Sequence, residues 1–114
     1  MSAKAVFIEE LNEELKKVWA QAGFKEPTAV QLKAFGPVME GADCIVESPT
    51  GTGKTLAYVL PVLNKINPAE QKVQAVFVAP SRELVMQIFE VVQAWAKSSG
   101  ITAASFIGGA NPKR

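Results

Sequence analysis

Histidine is absent from this 114-residue sequence, and cysteine, aspartate and tyrosine each occur once. This scarcity excludes a disulfide framework, a zinc site of cysteines and histidines, and histidine-based acid–base catalysis. Cys44 lies in an apolar run, which predicts a small core residue and fits a reducing compartment. The N-terminal residues lack the long apolar stretch of a signal peptide, so we expect a cytoplasmic protein.

The chain also lacks a large net charge and a long apolar run. Its formal net charge is +1, so no basic surface by itself indicates a nucleic-acid partner. The apolar stretch Leu56–Leu63 contains a proline and is far shorter than the roughly 20 residues of a membrane-spanning helix. We expect no membrane partner. The 48% of apolar residues is enough for one globular domain.

The sequence does contain an alternation of helical and strand patterns. Strands that alternate with helices predict an α/β fold, in which a three-layer parallel sheet carries helices on both faces and binds ligands at the carboxyl ends of its strands. We expect Trp19 and Trp95 to lie in the core. The predicted helices are Ile8–Gln21, Pro27–Glu40, Lys54–Ile66 and Pro80–Lys97, and the predicted buried strands are Asp43–Glu47, Val73–Ala79 and Ile101–Ile107.

An eight-residue segment that follows the first predicted strand and opens the third predicted helix has the pattern of a phosphate-binding loop. Its two glycines let main-chain N–H groups approach an anion. Its lysine places a charge against the β- and γ-phosphates, its last hydroxyl can ligate Mg²⁺, and we assign both a catalytic role. An ordinary glycine-rich turn is the alternative. The predicted nucleotide site comprises Ser48, Pro49, Thr50, Gly51, Thr52, Gly53, Lys54 and Thr55, with Thr55 as the metal ligand.

The segment from Gly23 to Gln31 precedes this loop and suits recognition of adenine. A glutamine amide can accept from the adenine N6 amino group and donate to N7, and Phe24 supplies a stacking face. Thr28 and Gln31 also form the pattern of a capping box, in which the glutamine bonds back to the helix start. The two roles are compatible, and the sequence leaves both open.

Together these segments resemble the DEAD-box RNA helicases. Residues 23–31 resemble the family's Q motif, Phe7 lies near the position of its upstream aromatic residue, and Ser48 heads a helicase-type loop. Residues 80–85 (Pro-Ser-Arg-Glu-Leu-Val) resemble motif Ia, and residues 108–109 resemble the GG segment. The resemblance implies a RecA-like P-loop NTPase fold. It also implies contact between the Glu26 carbonyl and adenine, and RNA contacts from Pro80, Ser81, Arg82, Gly108 and Gly109.

Two of these segments have simpler interpretations. Ser81 can act as a helix N-cap with Glu83 in the first turn, and Gly108-Gly109 can be a plain turn.

The Asp-Glu-Ala-Asp segment of this family does not occur in the sequence, and Asp43, the only aspartate, precedes the phosphate-loop strand. The resemblance therefore implies that residues 1–114 are the N-terminal portion of the first RecA-like domain. We expect this portion to bind ATP weakly, to hydrolyse none, and to expose unpaired strands that pair unusually or self-associate. The intact protein would couple ATP hydrolysis to RNA unwinding.

A P-loop NTPase of another family and a non-catalytic nucleotide-binding module are the remaining alternatives. A P-loop NTPase of another family would show no preference for adenine. Competition between ATP and GTP, measured for the wild type and for Gln31→Ala, would therefore distinguish it from a DEAD-box helicase. An Asp-Glu-x-Asp stretch encoded downstream of Arg114 would exclude the second.

Overall fold

The structure is a computed structural model, and it describes residues 3–23, 26–47, 54–97 and 99–107. The chain divides into two compact units, Met1–Lys65 and Ile66–Arg114, which we call the first and second units. The first contains four of the described helices and the second contains one. The helices are α1 (Ala3–Glu10), α2 (Glu13–Gln21), α3 (Ala29–Met39), α4 (Lys54–Lys65) and α5 (Arg82–Ala96).

The prediction of one helix over Ile8–Gln21 is wrong, because the helix is interrupted between Glu10, where α1 ends, and Glu13, where α2 begins. Asn12 adopts an extended conformation (φ −67°, ψ 166°), and its side chain accepts a hydrogen bond from the Leu15 N–H at 2.9 Å. An asparagine side chain that bonds to the backbone in this way starts a new helix. The acidic Glu13 and Glu14 follow in the first turn, where the helix dipole favours them.

The other three predicted helices are confirmed to within two residues. Helix α3 begins after Thr28 and stops before Gly41, whose φ of +82° suits a residue without a side chain. Helix α4 continues through Pro61, and α5 follows its N-cap Ser81.

The three predicted strands are non-helical, and the described residues contain no strand ladder. Exposure nevertheless alternates along two of them. Residues 75, 77 and 79 are half-buried between exposed neighbours, and residues 101, 103, 105 and 107 follow the same pattern. This period of two indicates extended backbone with one covered face. The opposite face carries apolar side chains, including Val76, Val78 and Phe106.

The prediction that Asp43–Glu47 is buried is wrong. Ile45 is 94% exposed, and Cys44 is exposed rather than a core residue, with its thiol donating to the Ala42 carbonyl at 3.5 Å. A strand is buried on both faces only where other layers cover it, and the described residues supply no such cover for this segment.

The core of the first unit is built from aliphatic side chains of α2 and α4 and an aromatic group around Phe7. The Phe7 ring lies 5.3 Å from Trp19 and 4.9 Å from Phe35 between ring centroids. Trp19 and Trp95 are both buried, which confirms their assignment to the core. Among the described residues, the largest fully buried side chains are Leu15, Leu60, Leu63, Val59 and Pro61.

Candidate functional site

The phosphate-loop helix begins at Lys54, as the motif predicts. Lys54 and Thr55 are the first two residues of α4, and both are half-buried. The first N–H groups of a helix have no partner within it, and the helix dipole is positive at this end. A lysine, a hydroxyl and these N–H groups suit an anion such as a phosphate. Residues 48–53 lie outside the described part of the chain.

Gln31 lies at the start of α3 and is 4% exposed. Its side-chain oxygen accepts from the Thr28 N–H at 2.9 Å, and its own N–H donates to the Thr28 hydroxyl at 3.3 Å. The capping box is therefore confirmed. The bond from the Thr28 N–H goes to the amide oxygen, so the capping box does not itself use the amide nitrogen.

Packing between α3 and α4 brings these two helix starts into one unit. Val30, beside Gln31, forms a buried cluster with Ala34 and with Ala57, and Ala57 follows Lys54 by three residues. Val46, from the segment before the phosphate loop, packs against the same cluster. The small side chains of the two alanines allow close approach of the helices. Helix α3, which carries the predicted adenine-binding Gln31, and helix α4, which begins at the predicted phosphate-binding Lys54, thus share one buried contact.

The remaining predicted adenine contacts are only partly described. Glu26 is exposed, and Pro27, which follows it, is buried. Phe24 lies outside the described residues.

The predicted RNA-binding segment lies in the second unit. Ser81 N-caps α5, and its hydroxyl accepts from the Leu84 N–H at 3.2 Å. The N-cap interpretation is therefore confirmed, and a hydroxyl that accepts at a cap can still donate its proton to another group. Pro80 and Arg82 are exposed beside it. Gly108 and Gly109 lie outside the described residues.

Asn64 is a residue that the sequence patterns did not single out. Its side chain bonds to two backbone groups between α1 and α2, more than fifty residues away along the chain. No local signal marks such a contact, because it depends on which helix ends meet in the folded unit.

A metal site made only of protein groups does not occur in the part of the chain that the structure describes. There, no three His, Cys, Asp or Glu side chains lie together. None of the helices within the described ranges is long and apolar enough to cross a membrane.

Comparison with known proteins gives consistent matches. A family model described as "DEAD/DEAH box helicase" matches residues 28–114. The "Probable ATP-dependent RNA helicase YfmL" of Bacillus subtilis is 57% identical over 88% of this chain and 27% of its own length. The "DEAD-box ATP-dependent RNA helicase CshC" of Bacillus cereus is 53% identical over 94% of this chain and 28% of its own length.

Solved structures give the same result. The RNA helicase Prp28 from Chaetomium thermophilum, bound to ADP, aligns with a TM-score of 0.75 and 34% identity over 89% of this chain and 26% of that protein. The chain thus spans about a quarter of the length of these three proteins.

Proposed function

The chain belongs to the DEAD/DEAH box helicase family, and from this premise we propose that it is the ATP-binding N-terminal part of an ATP-dependent RNA helicase. The observation that carries the proposal is the family match over residues 28–114, which starts at the capping box and includes the helix starts at Lys54 and Arg82. Two relatives with more than half of their aligned residues identical are named as ATP-dependent RNA helicases. The intact protein would couple ATP binding and hydrolysis to local separation of RNA duplexes.

The first unit would read the adenine ring through three residues. Phe24 would stack on the ring, the main-chain carbonyl of Glu26 would meet the N6 amino group, and Gln31 would bond the N6–N7 edge. The buried capping box supports this role because it fixes the Gln31 side chain in one orientation before ATP arrives.

The phosphates would lie on the loop of residues 48–53 and on the start of α4. Lys54 would neutralise the β- and γ-phosphates, and Thr55 would hold Mg²⁺, which supplies further charge neutralisation during phosphoryl transfer. The position of both residues in the first turn of α4 supports this assignment. A solved relative that is bound to ADP supports use of an adenine nucleotide.

The second unit would contact RNA through the cap of α5. Arg82 is exposed and can bond a phosphate, Ser81 can donate its hydroxyl proton, and the N–H groups of the first turn of α5 add to the same surface. Pro80 would shape this turn. Gly108 and Gly109 would let the RNA backbone approach closely.

In the intact protein the extended segments would form the three-layer parallel sheet of a RecA-like domain. The apolar outer faces of Val73–Ala79 and Ile101–Ile107 support this, because they are the surfaces that a further layer would cover. Without that layer the chain would self-associate. We place the intact protein in the cytoplasm.

The 114 residues contain one aspartate, Asp43, which precedes the phosphate loop. Phosphoryl transfer needs an acidic group to hold the metal and a group that positions the attacking water. We therefore expect this chain to bind ATP weakly without hydrolysing it. Stimulated ATPase activity of the purified chain would contradict this expectation.

Competition of ATP and GTP against a fluorescent ATP analogue tests the proposal. We expect the wild-type chain to prefer ATP, Gln31→Ala to remove most of this preference, and Lys54→Ala to weaken both nucleotides alike. Gln21→Ala, which truncates an exposed amide at the end of α2, is the matched control and should change neither. Equal affinity of the wild-type chain for ATP and GTP would favour a P-loop NTPase of another family.

A further inference from the structure

The last turn of α4 carries a side chain that ties this helix to the N-terminal helices. The Asn64 amide nitrogen donates to the carbonyl oxygen of Glu10 at 2.8 Å. Its amide oxygen accepts from the main-chain N–H of Asn12 at 2.7 Å. We call this pair of hydrogen bonds the Asn64 latch.

Both partners of the latch are groups that helices leave unsatisfied. Glu10 is the last residue of α1, so its carbonyl has no donor within that helix. Asn12 is the N-cap of α2, and its N–H precedes the helix. A short amide side chain offers a donor and an acceptor side by side, so one residue satisfies both groups. The latch therefore fixes α4 against the junction of α1 and α2.

The same N-terminal helices also contact α3. Phe7 of α1 packs on Phe35, with 4.9 Å between ring centroids, and Phe35 lies one turn after Gln31 on the same side of α3. Next to Asn64, Lys65 donates to the carbonyl oxygen of Val38 in the last turn of α3 at 3.3 Å. Near Asn64, α4 thus contacts α3 directly, and the Asn64 amide nitrogen also donates to the Met39 sulfur of α3 at 3.6 Å. Helix α1 contacts both of these helices.

We propose that Asn64 is a positioning residue for ATP, acting by fixing where the start of α4 lies relative to Gln31. The inference rests on the proposed function. The latch is ten residues from Lys54 along α4, a distance of about 15 Å in a helix, so Asn64 does not touch the nucleotide. ATP spans both helix starts, and a ligand that must satisfy two sites at once loses affinity when their spacing changes. A ligand that uses only one site is insensitive to this spacing.

Nuclear magnetic resonance titrations of the 114-residue chain with ATP, inorganic tripolyphosphate and adenosine test the proposal. Asn64→Ala should raise the dissociation constant for ATP about five- to tenfold, because ATP alone uses both helix starts. Its dissociation constants for tripolyphosphate and for adenosine should stay within about twofold of wild type, since each uses one site. Asn64→Asp keeps the acceptor for the Asn12 N–H and loses the donor to the Glu10 carbonyl. Its affinity for ATP should therefore lie between that of the wild type and that of Asn64→Ala.

Gln21→Ala again serves as the control for loss of an amide, and it should leave all three affinities unchanged. Unchanged ATP affinity in Asn64→Ala overturns the proposal, and so does a parallel loss for ATP and tripolyphosphate, which indicates general damage to the fold. If Asn64→Ala does not fold, Asn64→Asp decides by the same two criteria. A wild-type chain that binds neither ATP nor tripolyphosphate overturns the proposed function together with this inference, whereas a failure confined to the variants overturns the inference alone.

Discussion

Gln31 is held in the capping box by the side-chain oxygen that the proposed adenine recognition would also use. Its side-chain oxygen accepts from the Thr28 N–H, and the adenine N6 amino group would be a second donor to the same oxygen. Donation to N7 requires the amide nitrogen, which the bond from Thr28 does not involve. Helix capping uses only the amide oxygen, whereas the proposed base recognition also needs the amide nitrogen, so a substitution that changes the nitrogen alone can separate the two.

Gln31→Glu should remove the proposed base recognition and keep the capping bond. A glutamate still accepts from the Thr28 N–H, and its charge is favoured at the start of a helix. It cannot donate to N7, so the preference for ATP over GTP should fall by about tenfold or more. Because Gln31 is 4% exposed, burial of the new charge should lower the free energy of unfolding by about 1–3 kcal/mol even though the capping bond remains. Nucleotide competition and urea unfolding measure the two effects.

Gln31→Ala is the matched comparison, because it should lose both the base preference and the capping bond. A Gln31→Glu variant that retains full preference for ATP would restrict Gln31 to its capping role.

Residue-level roles were predictable from sequence where they depend on neighbours in the chain. Thr28 and Gln31 were expected to form a capping box, and Ser81 was expected to act as an N-cap with Glu83 in the first turn. Both caps are present, and each spans three residues. Asn12 caps α2 by the same chemistry, and the glutamates after it carried a signal that the helical periodicity obscured. The Asn64 latch joins residues more than fifty positions apart, so no local pattern reveals it.

At the scale of elements, α4 stabilises the first unit and begins with Lys54 and Thr55, the residues proposed to bind phosphate. Val59, Leu60 and Leu63 are at most 1% exposed, and the helix packs against α3 through Ala57. The buried face of α4 thus holds Lys54 and Thr55 in place. Loss of this packing should unfold the unit rather than alter the site alone.

Leu60→Ala should lower the free energy of unfolding by about 2–5 kcal/mol, because it removes a completely buried side chain and leaves a cavity. Thermal and urea unfolding followed by circular dichroism measure the loss. Lys33→Ala, an exposed position on α3, is the control and should stay within about 0.5 kcal/mol of wild type. A loss below about 1 kcal/mol at Leu60 would show that α4 packs more loosely than the structure indicates.

Helices were more predictable than strands for a physical reason. A helix satisfies its hydrogen bonds internally and ends at local signals, such as the positive φ of Gly41. A strand is completed by residues elsewhere in the sequence or in another chain. Ile45 and Cys44 have the composition of buried strand residues, yet they are exposed because burial depends on layers that the local sequence does not specify.

At the scale of the whole molecule, the second unit exposes large apolar side chains to solvent. Val76 and Val78 are 75% and 89% exposed, and Phe106 is 67% exposed. Extended segments with apolar side chains and unfilled pairing positions associate with one another.

We expect the chain to form dimers or larger species at micromolar concentrations. The double substitution Val76→Lys with Val78→Lys should shift the chain toward the monomer. Sedimentation velocity measures this shift. Lys72→Ala, which removes an exposed charge just before the segment, should not increase the monomer fraction. A monomeric wild-type chain that unfolds in one cooperative transition would contradict the prediction. It would mean that residues of the same chain cover these apolar side chains.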